Sequence, residues 1–311
     1  MKNPRRWKRL NGEFTLPQAI EREVCASMKR RALRKDFYME VKKSLNRFLS
    51  IFAIVAMGVA FYSGIQSAAP DMRYSGDAYF DAHQLMDLKV MGTMGLTDQD
   101  VGSLLEIDGI YKAEPGYMAD VYWQGDEVSQ VLRLESISPT LNRLTPLEGR
   151  APKQPGEIFL DIEFARKQGL SPGDTVTFWE EEKEDGDPAL KRHNFTLVGV
   201  GASPLYISFN RGNTNLGNGE LAGAGYLLAE DFAYEAYTQI YLQVSGSDRL
   251  TAYTDAYEDM VTRTQEKIEG IATKRCRIRY EEIEREATEK IADGTRELEE
   301  GKEEAATELE S

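Results

Sequence analysis

The hydrophobic pattern changes period twice along this chain. Leu33, Phe37, Val41, Leu45 and Phe48 recur every three or four residues, while Arg34, Lys35, Lys42, Lys43 and Arg47 take the remaining surface. That spacing predicts a basic amphipathic helix from about residue 18, its apolar stripe suited to an acyl boundary and its cations to anionic headgroups. Residues 48–65 then run from Phe48 to Ile65 with no ionisable group except the Tyr62 phenol. Eighteen helical residues rise about 27 Å, close to the ~30 Å hydrocarbon thickness of a bilayer. Gln66 to Ala69 can extend that helix into the interface.

Past residue 69 an alternating pattern replaces the helical one. Strands are expected at Met86–Met91, Tyr117–Trp123, Val128–Glu135, Glu157–Leu160, Thr175–Trp179, Phe195–Gly201, Gly225–Leu228 and Gln239–Val244. Gly125-Asp126 signals a hairpin between the second and third. A short helix is expected after Thr97 as N-cap, and another from Ile162 to Gln168, closed by Gly169. Without regular βαβ alternation, the fold class is α+β. From Asp248 the helical period returns through Leu250, Tyr253, Tyr257, Val261, Thr264 and Ile268. Beyond Cys276, the residues Ile283, Ala287, Ile291, Leu298, Ala305 and Leu309 trace a stripe too narrow to be stable without a partner helix. The pattern runs to Ser311 without a cap, as expected of a stalk belonging to a longer protein.

Charge orients this arrangement. Residues 1–47 carry 14 Lys+Arg against 5 Asp+Glu, and residues 66–311 carry 24 against 47. A net +9 therefore faces a net −23 across one uncharged segment. Lys42, Lys43 and Arg47 flank its N-terminal end, where positive charge marks the cytoplasmic side, and Phe48, Phe61 and Tyr62 supply aromatic rings at its two ends. A buried core helix and a cleaved signal peptide compete with a retained span. The first lacks support because core helices of this length keep a polar face; the second fits Ser67-Ala68-Ala69 but not the 47 residues ahead of the apolar run.

Composition narrows the chemistry. A negative mean hydropathy and 29% charged residues fit a single anchor carrying a large polar part, not a multi-span channel. Cys25 and Cys276 fall on opposite sides of the expected span, and His83 and His193 are isolated, so neither a disulfide framework nor a metal cluster is legible. The acidic outer part argues against nucleic acid. Gly217-Asn-Gly219-Glu-Leu-Ala222 matches a dinucleotide fingerprint in letters only, since it sits in a Gly/Asn loop, 211–225, that leads into a strand; a surface loop docking on a neighbour is the expectation. The acidic run 180–187 is expected to be a solvated hairpin tip, and Asn194-Phe-Thr196 is a sequon only in a eukaryotic secretory route. With no phosphate-binding Gly loop before Lys302 and no nucleophile or metal pattern, no enzyme is expected.

Several segments nonetheless resemble one family. Residues 35–50, running straight into the apolar helix, look like the start of FtsX-like ABC transporter permeases, in particular the large Gram-positive type with a helical extracellular insertion. Leu147-Glu-Gly-Arg-Ala-Pro152, Pro155-Gly-Glu-Ile-Phe-Leu-Asp161 and Gly169-Leu-Ser-Pro-Gly-Asp-Thr-Val176 resemble the MacB-like periplasmic core domain, as do Ser203–Ser208 and Arg211-Gly212. The Asp293-Gly294 and Glu300-Gly301 repeats are similar to the coiled-coil insertion. The resemblance implies a basic cytoplasmic arm (1–47), a transmembrane helix (48–66), an extracytoplasmic core domain (67–247) and a helical stalk (248–311). It also implies a permease part that binds no cofactor itself, whose partners are membrane lipid, a cytoplasmic ABC ATPase that holds the ATP, and the remaining permease helices or a second permease copy. The family places no catalytic residues here. A single-pass anchored extracellular adaptor is the alternative.

Overall fold

The computed structural model describes residues 18–125, 130–180, 188–208 and 210–310, with 18–31 and 303–310 followed as backbone only. The chain divides between Asp71 and Met72 into two compact units. The first is helical throughout its described length. Its helix, α1 (Gln18–His83), joins the expected amphipathic and apolar segments without interruption and carries Pro70 inside it. Proline removes one amide from the helical ladder, which is why the sequence alone suggests an end near residue 69. The helix instead continues to His83, and Met72–His83 belongs to the second unit.

The second unit is α+β, as expected, and holds two sheets. Strands β1 (Leu88–Leu96), β10 (Tyr237–Val244) and β2 (Ile110–Gly116) form an antiparallel sheet in that order. The larger sheet runs β5 (Thr145–Gly149), β8 (Asn194–Ala202), β6 (Glu157–Asp161), β9 (Leu221–Leu227), β4 (Gln130–Ser136), β3 (Met118–Trp123), β7 (Thr175–Trp179). Because β7 also pairs with β8, six of these strands close into a ring, which removes the free edges an open sheet would offer. Leu132, Leu134, Ile158, Leu160, Phe178 and Phe195 fill its core, each no more than 1% exposed.

Two short helices lie where their caps predict. In α2 (Asp98–Leu105) the Asp100 carboxylate reaches back to the Thr97 N–H at 2.8 Å, satisfying an amide that the first turn leaves free. In α3 (Ile162–Gln168) Asp161 caps the start, and Gly169 ends the helix in the left-handed region at φ 69°. The long C-terminal helix, α4 (Asp255–Glu310), begins seven residues later than its periodicity suggests. Residues 247–249 form a 3-10 turn, and Tyr253 at φ 63° bars a helix through Leu250–Thr254. A second core packs Leu104, Ile110, Ile240 and Leu242 between the small sheet, α2 and Ile268 of α4.

Candidate functional site

The residues singled out from sequence all lie on α1, and all have exposed side chains. Leu33, Phe37, Val41 and Leu45 form one apolar line, with Lys42, Lys43 and Arg47 beside it. Phe48, Phe61 and Tyr62 mark the ends of the apolar run, at 63%, 71% and 67% exposure. Every side chain of this stretch, from residue 48 to residue 65, is exposed. Among the described residues it is the one helix long and apolar enough to cross a membrane. Two serine hydroxyls at its N-terminal end turn back onto the helix. Ser44 and Ser50 donate to the carbonyls of Glu40 and Asn46, both at 2.8 Å, as polar groups near hydrocarbon require.

Sequence reasoning missed a second constellation, formed within the second unit around the last turns of α1. Asp77 accepts a hydrogen bond from the Ala252 N–H at 2.6 Å, and the Phe80 and Tyr253 rings lie 6.2 Å apart. His83 bridges the Tyr79 carbonyl through Nδ1 at 2.8 Å and the Thr145 hydroxyl through Nε2 at 2.6 Å. A carbonyl only accepts, so Nδ1 carries a proton. Backbone bonds from Asn142 to Gln84 and from Arg143 to His83, each 2.8 Å, fasten the helix end further. Asp87 takes the Val244 N–H at 2.7 Å, the Ser247 hydroxyl at 2.8 Å and the Tyr257 hydroxyl at 2.7 Å. Burial, and then that bond to Asp87, hold the Tyr257 phenol above its ordinary pKa. The three-to-four spacing of Asp77, Phe80, Gln84 and Asp87 is the signal that could have found this anchor.

These groups border a cleft of about 260 Å³ ringed by Asp77, Asp81, Asp87 and Asp248. Partial burial, and then repulsion from Asp77, Asp248 and Asp87, raise the pKa of Asp81. Among the described residues no group of three or more His, Cys, Asp or Glu side chains is placed to hold a metal ion.

Between the two sheets lies a buried carboxylate. Glu135, 1% exposed at the end of β4, accepts from Tyr206 and Tyr241 hydroxyls at 2.5 Å each. Burial, and then the negative charge of Glu135, push both phenols well above their ordinary pKa. Tyr241 lies on β10 and Glu135 on β4, so this cluster ties the small sheet to the ring.

The Gly/Asn loop does not open a helix; it leads into β9, which starts at Leu221. Arg211 clasps Asp161 through two bonds of 2.7 and 2.9 Å, and the Gly217 N–H donates to the Tyr122 hydroxyl at 3.0 Å. The loop is thereby fixed to the ring of its own chain. Residues 181–187 of the acidic run, and Asp126 of the hairpin signal, lie outside the described residues.

No family model and no curated protein matches this chain. Among solved structures, it is similar to the extracellular domain of the noncanonic ABC-type transporter YknZ from Gram-positive bacteria, at 12% identity over 56% of this chain and 87% of that one, with a TM-score of 0.33. The periplasmic region of MacB from Actinobacillus actinomycetemcomitans matches at 14% identity over 58% and 76%, with a TM-score of 0.33. A domain of a putative permease protein from Porphyromonas gingivalis matches at 12% identity over 59% and 80%, with a TM-score of 0.28. At these identities and scores, function rests on the chain's own residues.

Proposed function

We propose that this chain is the membrane-anchored, non-catalytic subunit of an ABC-type permease. Residues 1–47 lie in the cytosol, α1 crosses the bilayer once, and the acidic outer unit carries motion from a separate cytoplasmic ATPase to its own extracytoplasmic partners. The observation that carries this reading is the apolar run of α1, exposed on every side and flanked by a charge step of +9 to −23. It is supported by the fastening of the same helix's last turns to the residues from which α4 departs. A displacement of that helix end would have to move the base of α4.

The MacB-like and FtsX-like likeness of the sequence motifs favours the permease assignment, with membrane lipid and further permease helices as additional partners. The alternative, a single-pass anchored adaptor, draws on the uncovered α4 surface, where Ile291 and Leu298 are 70% and 59% exposed. Purification of the full chain from its native membranes in mild detergent separates the two. Co-purification of a soluble ATPase with a phosphate-binding loop is expected. Recovery of extracellular proteins alone would support the adaptor instead.

A further inference from the structure

The start of α4 is an interrupted helix. Leu250, Tyr253, Tyr257 and Val261 keep helical spacing in the sequence, and Ser247–Arg249 already form a 3-10 turn. The α-helix nonetheless begins only at Asp255. Tyr253 sits at the break with φ 63°, a region closed to most side chains and to bulky ones above all. Its ring is 53% exposed, so burial does not offset the strain. Such a conformation persists only where the surroundings hold it.

What holds it comes from α1. Asp77 takes the Ala252 N–H at 2.6 Å, and the Phe80 ring lies 6.2 Å from that of Tyr253. Asp77 and Phe80 are three residues apart and share one face of the helix. Close packing does not lock the turn: clefts of about 260 and 350 Å³ flank it, each bordered by Phe80, Ala252 and Tyr257. Nor does Thr254 cap α4 firmly, since its Oγ1 lies 3.4 Å from the Tyr257 N–H. Asp248, a stronger capping residue type, lies six residues upstream.

We propose that Leu250–Thr254 is a coil-to-helix switch latched by the end of α1. While Asp77 and Phe80 hold the turn, Tyr253 stays left-handed and α4 starts at Asp255. When they withdraw, Tyr253 returns to the right-handed region, Asp248 becomes the N-cap, and α4 gains Leu250–Thr254, about 7 Å of helix. Movement of one helix end is thereby converted into a change in the length of the other. The device lies within the second unit and does not depend on the permease reading.

The test places histidines at two exposed positions, Thr251→His and Asp255→His. Two histidines at i and i+4 clamp a metal ion when the segment between them is helical. Ni²⁺ affinity of the full chain in tag-free nanodiscs, measured by titration calorimetry, therefore reports the extended form, and Thr251→His alone gives the background. Adding Asp77→Ala should tighten Ni²⁺ binding by the pair about tenfold, the factor set by one hydrogen bond to a charged group, and leave the background unchanged. Tyr253→Ala should also tighten it and Tyr253→Gly should not, because glycine accepts the left-handed region without strain and alanine favours helix. The Tyr253 variants leave α1 intact and decide the matter should Asp77→Ala fail to fold. Equal affinity of the pair with and without Asp77→Ala, or equal affinity in Tyr253→Ala and Tyr253→Gly, would overturn the switch and leave the permease reading standing.

Discussion

The Asp77 carboxylate, two turns from the end of α1, accepts the backbone N–H of Ala252 at 2.6 Å. One hydrogen bond thus joins the continuation of the apolar helix to the turn that launches α4, across 175 residues of sequence. Asp77→Ala leaves that amide without its partner at a cost of about 1–2 kcal/mol. For a unit of this size the melting temperature should fall by about 3–6 °C, read by thermal circular dichroism of the full chain in nanodiscs. An unchanged melting temperature would mean the bond does not hold the helix end.

The Glu135 cluster sets a larger effect. Glu135→Ala strands the buried Tyr241 phenol and the partly buried Tyr206 phenol, and should cost about 3 kcal/mol or more. Glu135→Gln keeps an acceptor oxygen and should cost less than half as much. Denaturant unfolding of the two variants measures the difference.

Acid sensitivity has an identifiable contributor. Two hydrogen bonds from Arg150, at 2.6 and 2.7 Å, and the Lys153 N–H hold the Glu157 carboxyl at about 2, below its ordinary 4.5. A depressed folded pKa stabilises the fold above pH 4.5, and that contribution disappears as pH falls from 4.5 towards 2. Glu157→Gln should therefore be less stable at neutral pH and lose less between pH 5 and pH 2. Parallel curves for parent and variant across that range would contradict the assignment.

Much of this architecture is written in the sequence, and the exceptions have physical causes. Alternation or a short apolar run marks β3, β4, β6, β7, β8 and β10, and caps mark α2 and α3, because each rule acts within a few residues. Strands β2 and β5 were invisible, since Pro115 and Pro146 read as turn residues. Both strands are sheet edges, where a missing amide donor is tolerated. The start of β9 was lost for another reason: Gly223 and Gly225 suggest a loop, but Cβ atoms there would come within 2.7 Å of Phe164 and Leu134. The anchor of α1 was only faintly legible, and the Glu135 cluster not at all. Its partners lie 71 and 106 residues away, a distance at which no local pattern operates.

The outer half of α4 should not persist alone. Every described side chain from residue 284 to residue 302 is exposed, and residues 276–311 carry 13 acidic against 6 basic groups. Gly294 and Gly301 each cost about 1 kcal/mol relative to Ala. A 276–311 peptide should show little helical circular dichroism in water. A stable helix at all concentrations would mean this segment needs no partner.

The central claim is that α1 spans a bilayer with the outer unit on the far side, and the chain's two cysteines test it directly. Intact spheroplasts expressing the full chain are treated with a membrane-impermeant maleimide before and after permeabilisation. The account requires Cys276 to label in intact spheroplasts and Cys25 only once the membrane is opened. Labelling of both cysteines before permeabilisation, or recovery of the labelled chain in the soluble fraction, would contradict it.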